Sequence, residues 1–131
     1  MSSAPRPLMI LVAGPYRSGT DDDPARIAAN VHAMNQVALQ LFRAGHIPVL
    51  GEWFALPLIE TAGSQRIGDA IFTEIFHPIA HAVAMRCDAC LRIGGASAGA
   101  DAEAARFRAV GKPVWTRLED VPQSSRGTSL A

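Results

Sequence analysis

The sequence predicts a single α/β domain built on a doubly wound parallel β-sheet. Apolar runs of strand length alternate with longer stretches in which apolar residues recur every three or four positions. Glycines and prolines separate these segments, and the 131 residues, of which 49% are hydrophobic, suffice for one continuous core. A flavodoxin- or Rossmann-like sheet of four to five strands is the common architecture that fits this alternation.

The first half of the chain predicts a β-α-β unit. Residues 8–13 form a short apolar run that is typical of a strand covered on both faces. Asp23 and Pro24 mark a helix start, because the carboxylate can cap free N–H groups and proline suits the first helical position. Gly45 ends this helix, and residues 47–50 form the second strand. The helix carries one apolar stripe: Ile27, Val31, Met34, Ala38 and Leu41.

The second half predicts two further strands and three helices. In chain order these are helix 54–63 broken at Pro57, helix 69–86 kinked at Pro78, strand 89–93, helix 100–110 and strand 114–116. The apolar side of the helix at 69–86 is predicted to comprise Ile71, Ile75, Ile79, Ala82 and Met85. Ala100, Ala104 and Phe107 are predicted to face inward. The small polar residues 122–131 predict a disordered tail, which leaves residues 1–121 as the folded domain.

Composition excludes several classes of function. Twelve basic residues balance twelve acidic ones, so no overall field attracts nucleic acid or acidic lipid. No segment approaches transmembrane length, and the N-terminal apolar stretch is too short for a signal peptide. Cys87 and Cys90 cannot form a secreted disulfide framework, which favours the reducing cytoplasm. Glu74, His77 and His81 share a helix face, but a solvated polar face explains this spacing better than a metal site.

Two loops carry candidate binding residues, because ligands of such sheets bind beyond the carboxyl ends of the strands. In the first loop, Gly14 and Gly19 allow the backbone to approach a ligand closely. Arg17 can contact a phosphate or carboxylate in bidentate fashion, and Ser18 can donate its hydroxyl. The glycine spacing is like that of a phosphate-binding P-loop, but the lysine is missing, which excludes triphosphate hydrolysis. The alternative is an ordinary loop with a solvated arginine.

The second loop leads into the helix at 100–110. Ser97, Gly99, Asp101 and Glu103 cluster where free N–H groups and the positive end of the helix dipole favour anions. The same field favours an ionised carboxylate, as a nucleophile requires. The alternative is that the serine only caps the helix and the acids only complement its dipole.

Five segments in order, AGPYRSG, GHIPVL, RCDACLRI, SAGADAE and GKPV, resemble the nucleoside 2-deoxyribosyltransferase-like superfamily. This superfamily includes the deoxynucleoside 5′-monophosphate N-hydrolases. The resemblance implies that Glu103 attacks the anomeric carbon and that Asp88 helps to orient or protonate the base or sugar. It also implies that Arg17 and Ser18 hold the 5′-phosphate and that Tyr16 lines the sugar pocket.

The expected activity is therefore cleavage of the N-glycosidic bond of a nucleoside 5′-monophosphate, or deoxyribosyl transfer if a second base replaces water. In this reaction Ser97 is expected to hold the phosphate together with Arg17 and Ser18, and no metal or cofactor is expected to take part. Trp53 is expected either to stack on a base at the cleft rim or to be a buried aromatic at a strand end. Asp101 stands where the superfamily has a glycine or a bulky residue, so it could replace or disturb Glu103.

The sequence leaves two alternative functions open and also predicts an oligomeric state. A non-catalytic nucleotide sensor can use the same fold, and Gly94-Gly95 suggests a phosphoribohydrolase. The superfamily usually completes its site across a dimer interface, which implies a homodimer or higher homo-oligomer. The apolar face of the helix at 69–86, flanked by Phe72 and Phe76, is the predicted interface.

Overall fold

Four parallel strands form the centre of the part of the chain that the computed structural model describes, residues 5–126. Their order in the sheet is β2-β1-β3-β4, which confirms the predicted parallel α/β fold and is consistent with a flavodoxin-like arrangement. The elements are β1 (Met9–Ala13), α1 (Pro24–Arg43), β2 (Ile47–Val49), α2 (Gly51–Thr61), α3 (Ala70–Met85), β3 (Ala89–Arg92), α4 (Ala98–Ala109) and β4 (Val114–Trp115).

Both faces of the sheet are covered, as the continuous apolar run of β1 predicts. Ile10 and Val12 point to the layer that contains α1, where they join Met34 and its neighbours on that helix. Leu11 and Ala13 point to the opposite layer, which contains the end of α3 and the inner side of α4. Because successive strand residues alternate between faces, a strand buried on both sides must be apolar throughout.

Strands β1 and β3 lie side by side, which brings the loops that follow them together. Ala13 pairs with Arg92 in register, and the backbone N–H of Ile93 donates to the carbonyl of Ala13 at 2.9 Å. A Cβ at Gly14 would lie 3.1 Å from the carbonyl oxygen of Ile93 and 3.2 Å from Sδ of Met34. Glycine at this position therefore permits the close approach of the two loops.

The two internal prolines do not break their helices. Helix α2 begins at Gly51 and continues through Pro57, and α3 continues through Pro78, so the predicted break in α2 is wrong. Because proline has no N–H, Pro57 and Pro78 leave the carbonyls four residues earlier, those of Trp53 and Glu74, without a helical donor. Both prolines and both of these residues are exposed. Because these carbonyls lie on the solvent side, water can hydrogen-bond to them and the loss is small.

The apolar side of α3 is rotated from the prediction. Met85 is 51% exposed, whereas Phe72 is buried together with Ala84. The reason is that α3 packs against α2 as well as the sheet, and this second contact forms its own apolar cluster around Ala55. Phe72 is used inside this cluster and is not available to flank a dimer interface, contrary to the prediction.

The beginning of the predicted tail packs against the domain. Ser124 is fully buried; its backbone N–H donates to the carbonyl of Ala44 and its hydroxyl donates to the carbonyl of Gly45. The carbonyl of Pro122 accepts a hydrogen bond from the ring of His46. The prediction of disorder is therefore wrong for residues 122–126, and its remainder, residues 127–131, lies outside the described residues.

Candidate functional site

A cavity of about 400 Å³ opens at the carboxyl ends of β1 and β3. Helices α2, α3 and α4 complete its walls. Seven residues predicted for the site line it: Gly14, Tyr16, Arg17, Ser18, Ser97, Gly99 and Glu103. The charged or aromatic lining residues that were not predicted as site residues are Glu52, Phe76, His77 and Arg106. The fold thus brings the two predicted loops together around one concave space.

Tyr16 forms one wall of the cavity through an aromatic stack. Its ring lies 5.4 Å from that of Phe76, which in turn lies 5.0 Å from the ring of Phe72, and all three are nearly parallel. Burial, with a contribution from the charge of Glu52, raises the pKa of the Tyr16 phenol. The neutral ring therefore offers an apolar surface of the kind that packs against a sugar or a base.

Arg17 is held by an acidic partner in its own loop. Its Nε and Nη2 each donate to the carboxylate of Asp22 at 2.8 Å, and the guanidinium lies 5.6 Å from the ring centroid of Phe72. Gly68 has a φ of 84°, which favours glycine, and a Cβ there would stand 2.7 Å from Nη2 and displace the guanidinium. A guanidinium has five N–H donors, and Asp22 accepts from two of them. A ligand would therefore be bound by the remaining N–H groups, which form the outer edge of the guanidinium.

The loop that presents Arg17 has an unusual backbone. Asp21 and Asp22 have φ of 51° and 56°, a left-handed conformation that costs energy for residues with a Cβ. Thr20, which is buried, stabilises the turn: its hydroxyl donates to the carbonyl of Arg17 and accepts from the N–H of Asp22. The position of Arg17 is therefore set by contacts inside the loop.

Ser97 is the N-cap of α4, which confirms the alternative prediction that this serine caps the helix. Its buried hydroxyl accepts a hydrogen bond from the N–H of Ala100 at 3.2 Å. Gly99 and Ala100, in the first turn, also line the cavity, so the positive end of the α4 dipole is at the site. Capping and anion attraction therefore coexist here: the serine stabilises a helix terminus whose field favours a phosphate.

Glu103 is the carboxylate that the cavity partly buries. Its Oε1 accepts from Nη1 of Arg106 at 3.1 Å, whereas its buried Oε2 has no hydrogen-bond partner among the described residues. Burial raises the pKa of Glu103, and the positive charges of Arg106 and His81 act in the opposite direction. The helix dipole was expected to favour ionisation of this carboxyl group, whereas its burial opposes ionisation.

Glu52 is a second buried carboxyl group in the same cavity, and it was missed from the sequence. It is 7% exposed, and its Oε2 also has no hydrogen-bond partner within residues 5–126. Burial raises its pKa, against a smaller opposing effect of its own backbone N–H. The available signal was its place directly after β2, where a third parallel strand ends at the same edge of the sheet.

Asp88, predicted to be catalytic, does not line the cavity. It precedes β3 and therefore lies at the amino end of the sheet, opposite the site. Its Oδ2 accepts from the N–H of Met9 at 2.8 Å, and this bond is the main cause of its lowered pKa. Arg6 adds a contact at 3.4 Å. The carboxylate joins two strands and has a structural position.

Three other predicted ligand contacts also lie outside the cavity lining. Asp101 is 70% exposed at its side chain and pairs with Arg92 at 3.0 Å, so it is not placed to replace Glu103. Trp53 is 42% exposed and donates to Oδ1 of Asn35, so neither base stacking at the site nor full burial describes it. Gly19 adopts a φ of 75° in the loop turn, without reaching the cavity surface.

Comparison with known proteins gives no relative: no known protein family matches the chain, and no curated protein is detectably similar to it.

Within residues 5–126, no helix combines the length and the apolar character needed to cross a membrane. In the same range no group of three or more histidine, cysteine and acidic side chains has an arrangement that would hold a metal ion. Cys87 and Cys90 are free and buried, and burial raises the pKa of their thiols to about 11 and about 12.

Proposed function

We propose that the protein hydrolyses the N-glycosidic bond of a nucleoside 5′-monophosphate, releasing a free base and a sugar 5-phosphate. The observation that carries this proposal is the buried, unpartnered Oε2 of Glu103 in a cavity that Arg17 and Ser18 also line. The volume of about 400 Å³ lies in the range of small-molecule sites, roughly 300–1,000 Å³.

The phosphate is assigned to the part of the cavity where the two loops meet. Arg17 supplies the outer edge of its guanidinium, Ser18 its hydroxyl, and the first turn of α4 its positive field. Ser97 supports this contact by capping that turn. The sugar then lies against Tyr16, within reach of the carboxylate one turn further along α4.

Glu103 acts on the sugar. Its carboxylate attacks C1′ as the bond from C1′ to the base nitrogen breaks, and water later displaces it from C1′. The transition state has oxocarbenium character, and a carboxylate in a desolvated site stabilises such a positive charge strongly. Arg106 orients the group by holding Oε1 and leaves Oε2 for the sugar. No metal or cofactor takes part in this scheme.

The decisive variant is Glu103→Gln, which keeps the shape of the side chain but removes the nucleophile. We expect it to abolish base release from nucleotides, measured by chromatography, while calorimetry shows nucleotide binding within a few-fold of the parent. Asp101→Asn is the matched control on the same helix, because Asp101 is exposed and outside the cavity lining. Base release by Glu103→Gln at the parental rate would disprove the nucleophile assignment.

The same assay separates the rival functions. Nucleotide binding without base release from any substrate by the parent would favour a sensor, and cleavage confined to ribonucleotides with modified bases would favour a phosphoribohydrolase. Transfer to a second base, detected by adding one, would identify a deoxyribosyltransferase. A homodimer and a cytoplasmic location are further parts of the proposal, which light scattering and cell fractionation test.

A further inference from the structure

Glu52 occupies a position that the fold defines closely. It is the second residue of α2, directly after β2, so it lies at the same sheet edge as the two predicted loops. The preceding Gly51 packs against α3: a Cβ there would lie 3.2 Å from the Cβ of Ala80 and 3.3 Å from its Cα. The start of α2 is thus seated against α3, and Glu52 is held on the cavity wall.

The surroundings of Glu52 differ from those of Glu103. Burial is the largest influence on the pKa of both groups and raises it, but the opposing influences differ: Arg106 and His81 act on Glu103, whereas the backbone N–H of Glu52 acts on Glu52. The charged or titratable groups that line the same cavity are Tyr16, Arg17, His77, Glu103 and Arg106. Both carboxyl groups line one cavity, and Glu103 accepts a hydrogen bond from a positively charged side chain, whereas the structure gives Glu52 no such partner among residues 5–126. A nearby positive charge favours the ionised form, so of the two groups Glu52 is the one favoured to hold a proton, and a nucleophile paired with an acid is a recurring catalytic arrangement.

We propose that Glu52 is the general acid of the site, donating its proton to the nucleobase as the base departs. This inference rests on the proposed function. As the carboxylate of Glu103 forms its bond to C1′, the bond from C1′ to the base nitrogen breaks and its electron pair goes to the base. The carboxyl proton of Glu52 neutralises the base. The resulting Glu52 carboxylate then takes a proton from the water that attacks C1′, which restores both groups.

Unpartnered burial is the observation that favours this role over a structural one. A buried carboxyl group without a hydrogen-bond partner destabilises a fold, so a purely structural position would be occupied more favourably by an apolar residue. Oε2 of Glu52 is buried on the wall of a ligand-sized cavity, where a base nitrogen or carbonyl oxygen would accept its proton. Asp88, the other candidate proton donor, is at the opposite end of the sheet.

The test is Glu52→Gln with two substrates that differ only in the leaving base. Guanosine or deoxyguanosine 5′-monophosphate requires protonation of the base, whereas the N7-methylated analogue carries a positive charge and departs without it. We expect Glu52→Gln to lower kcat about 100-fold or more on the unmodified nucleotide, with KM little changed, and less than about tenfold on the methylated one. Glu60→Gln, an exposed glutamate near the end of the same helix, is the control and should match the parent.

The pH profile supplies a readout that a structural role would not change. The parent should lose kcat on the unmodified nucleotide as pH rises and Glu52 ionises, and Glu52→Gln should lack this alkaline limb. An equal loss of rate on both substrates, or no loss on either, would overturn the assignment of Glu52 as the acid while leaving the proposed function intact.

Binding distinguishes failure of the inference from failure of the proposed function. If the parent releases no base, calorimetry compares the affinity of the nucleotide with that of ribose 5-phosphate at acidic and alkaline pH. In one outcome, the parent binds the nucleotide more tightly than ribose 5-phosphate by a ratio that falls as pH rises, while Glu52→Gln shows no such fall. That result would support a hydrogen bond from the Glu52 carboxyl group to the base even though no base is released. The same preference at all pH values in both proteins would refute the contact.

Discussion

At the scale of single residues, three neighbours hold the side chain of Arg17 in place. Asp22 binds two of its donors, Phe72 lies beneath the guanidinium and Gly68 leaves room beside it. These contacts hold a 40% exposed side chain in one orientation, which reduces the entropy that ligand binding must otherwise cost. The partner also neutralises part of the positive charge, so directional donors matter here more than net charge.

Replacement of Arg17 tests its role as the phosphate contact. We expect Arg17→Ala to weaken binding of a nucleoside 5′-monophosphate by roughly tenfold to a hundredfold, about 1.5–3 kcal/mol, because a charge-assisted hydrogen bond is lost. Binding of the free nucleoside should change far less, as calorimetry with both ligands will show. Arg26→Ala is the control, since Arg26 pairs with acids of the same loop but does not line the cavity. Equal losses for the two ligands would contradict a phosphate contact.

The success of site prediction at this scale depends on strand direction. Gly14, Ser18 and Glu103 were predictable because each follows a strand, and the carboxyl ends of parallel strands share one edge. Asp88 was misplaced because it precedes its strand, which puts it at the other edge. Glu52 follows β2 directly, yet nothing in the sequence shows that its side chain is buried without a partner, since that depends on how α2 packs against α3.

At the scale of elements, helix caps were predictable and helix faces were less so. Asp23 caps α1 through the N–H of Arg26 as the Asp-Pro pair predicts, because capping is a local interaction. The inward side of α3 depends on two partners at once, the sheet and α2, and a single apolar stripe does not encode both. The exposed prolines misled the prediction of α2 because water can satisfy the carbonyls that they leave free.

The N-cap of α3, Asp69, makes a contribution to stability that depends on pH. Its carboxylate accepts from the backbone N–H groups of Phe72, Gln65 and Arg66 and from the hydroxyl of Ser64, and these bonds lower its pKa to about 2. Because the folded pKa lies below the unfolded value of about 3.9, this stabilisation is complete above pH 4 and is lost as pH falls towards 2.

We therefore expect Asp69→Ala to lower the urea midpoint at pH 7, because α3 loses its cap and the preceding loop loses its anchor. The difference from the parent should shrink steadily between about pH 4 and pH 2, because the parental carboxylate becomes increasingly protonated over this range. Asp23→Ala, which removes a cap with one backbone hydrogen bond, should cause the smaller loss at pH 7. A difference that stays constant down to pH 2 would show that the charge of Asp69 is not what stabilises the cap.

At the scale of the whole molecule, the two ends of the sheet have opposite characters. Asp88 ties β3 to β1 at the amino end, and Lys112 donates there to the carbonyls of Met85 and Cys87. At the carboxyl end, Oε2 of Glu52 and Oε2 of Glu103 are buried at an open cavity, without a hydrogen-bond partner in the described range 5–126. Paired polar groups thus stabilise one edge of the sheet, whereas the proposed function uses the unpaired ones at the other edge.

Residues 122–126 stabilise the domain through hydrogen bonds, although their composition predicts disorder. The N–H of Leu8 donates to Nδ1 of His46, so Nε2 of this buried ring carries the proton that the carbonyl of Pro122 accepts. Ser124, with 0% exposure, adds a hydroxyl bond of 2.8 Å to the carbonyl of Gly45. Composition does not reveal such pairing, because the partners lie about 80 residues earlier in the chain, 79 for Ser124 and Gly45.

The packing of this segment predicts that Ser124→Ala destabilises the whole domain, far from the cavity. The variant loses the hydroxyl bond and leaves the buried carbonyl of Gly45 without that donor, which typically costs about 1–3 kcal/mol. Gln123→Ala, at an exposed neighbouring position, should change the free energy of unfolding by less than about 0.5 kcal/mol. Equilibrium urea unfolding of both variants checks this, with nucleotide binding expected to match the parent while the protein is folded. Equal stabilities for the two variants would mean that residues 122–126 do not contribute to the fold in solution, and the domain boundary would then return to residue 121.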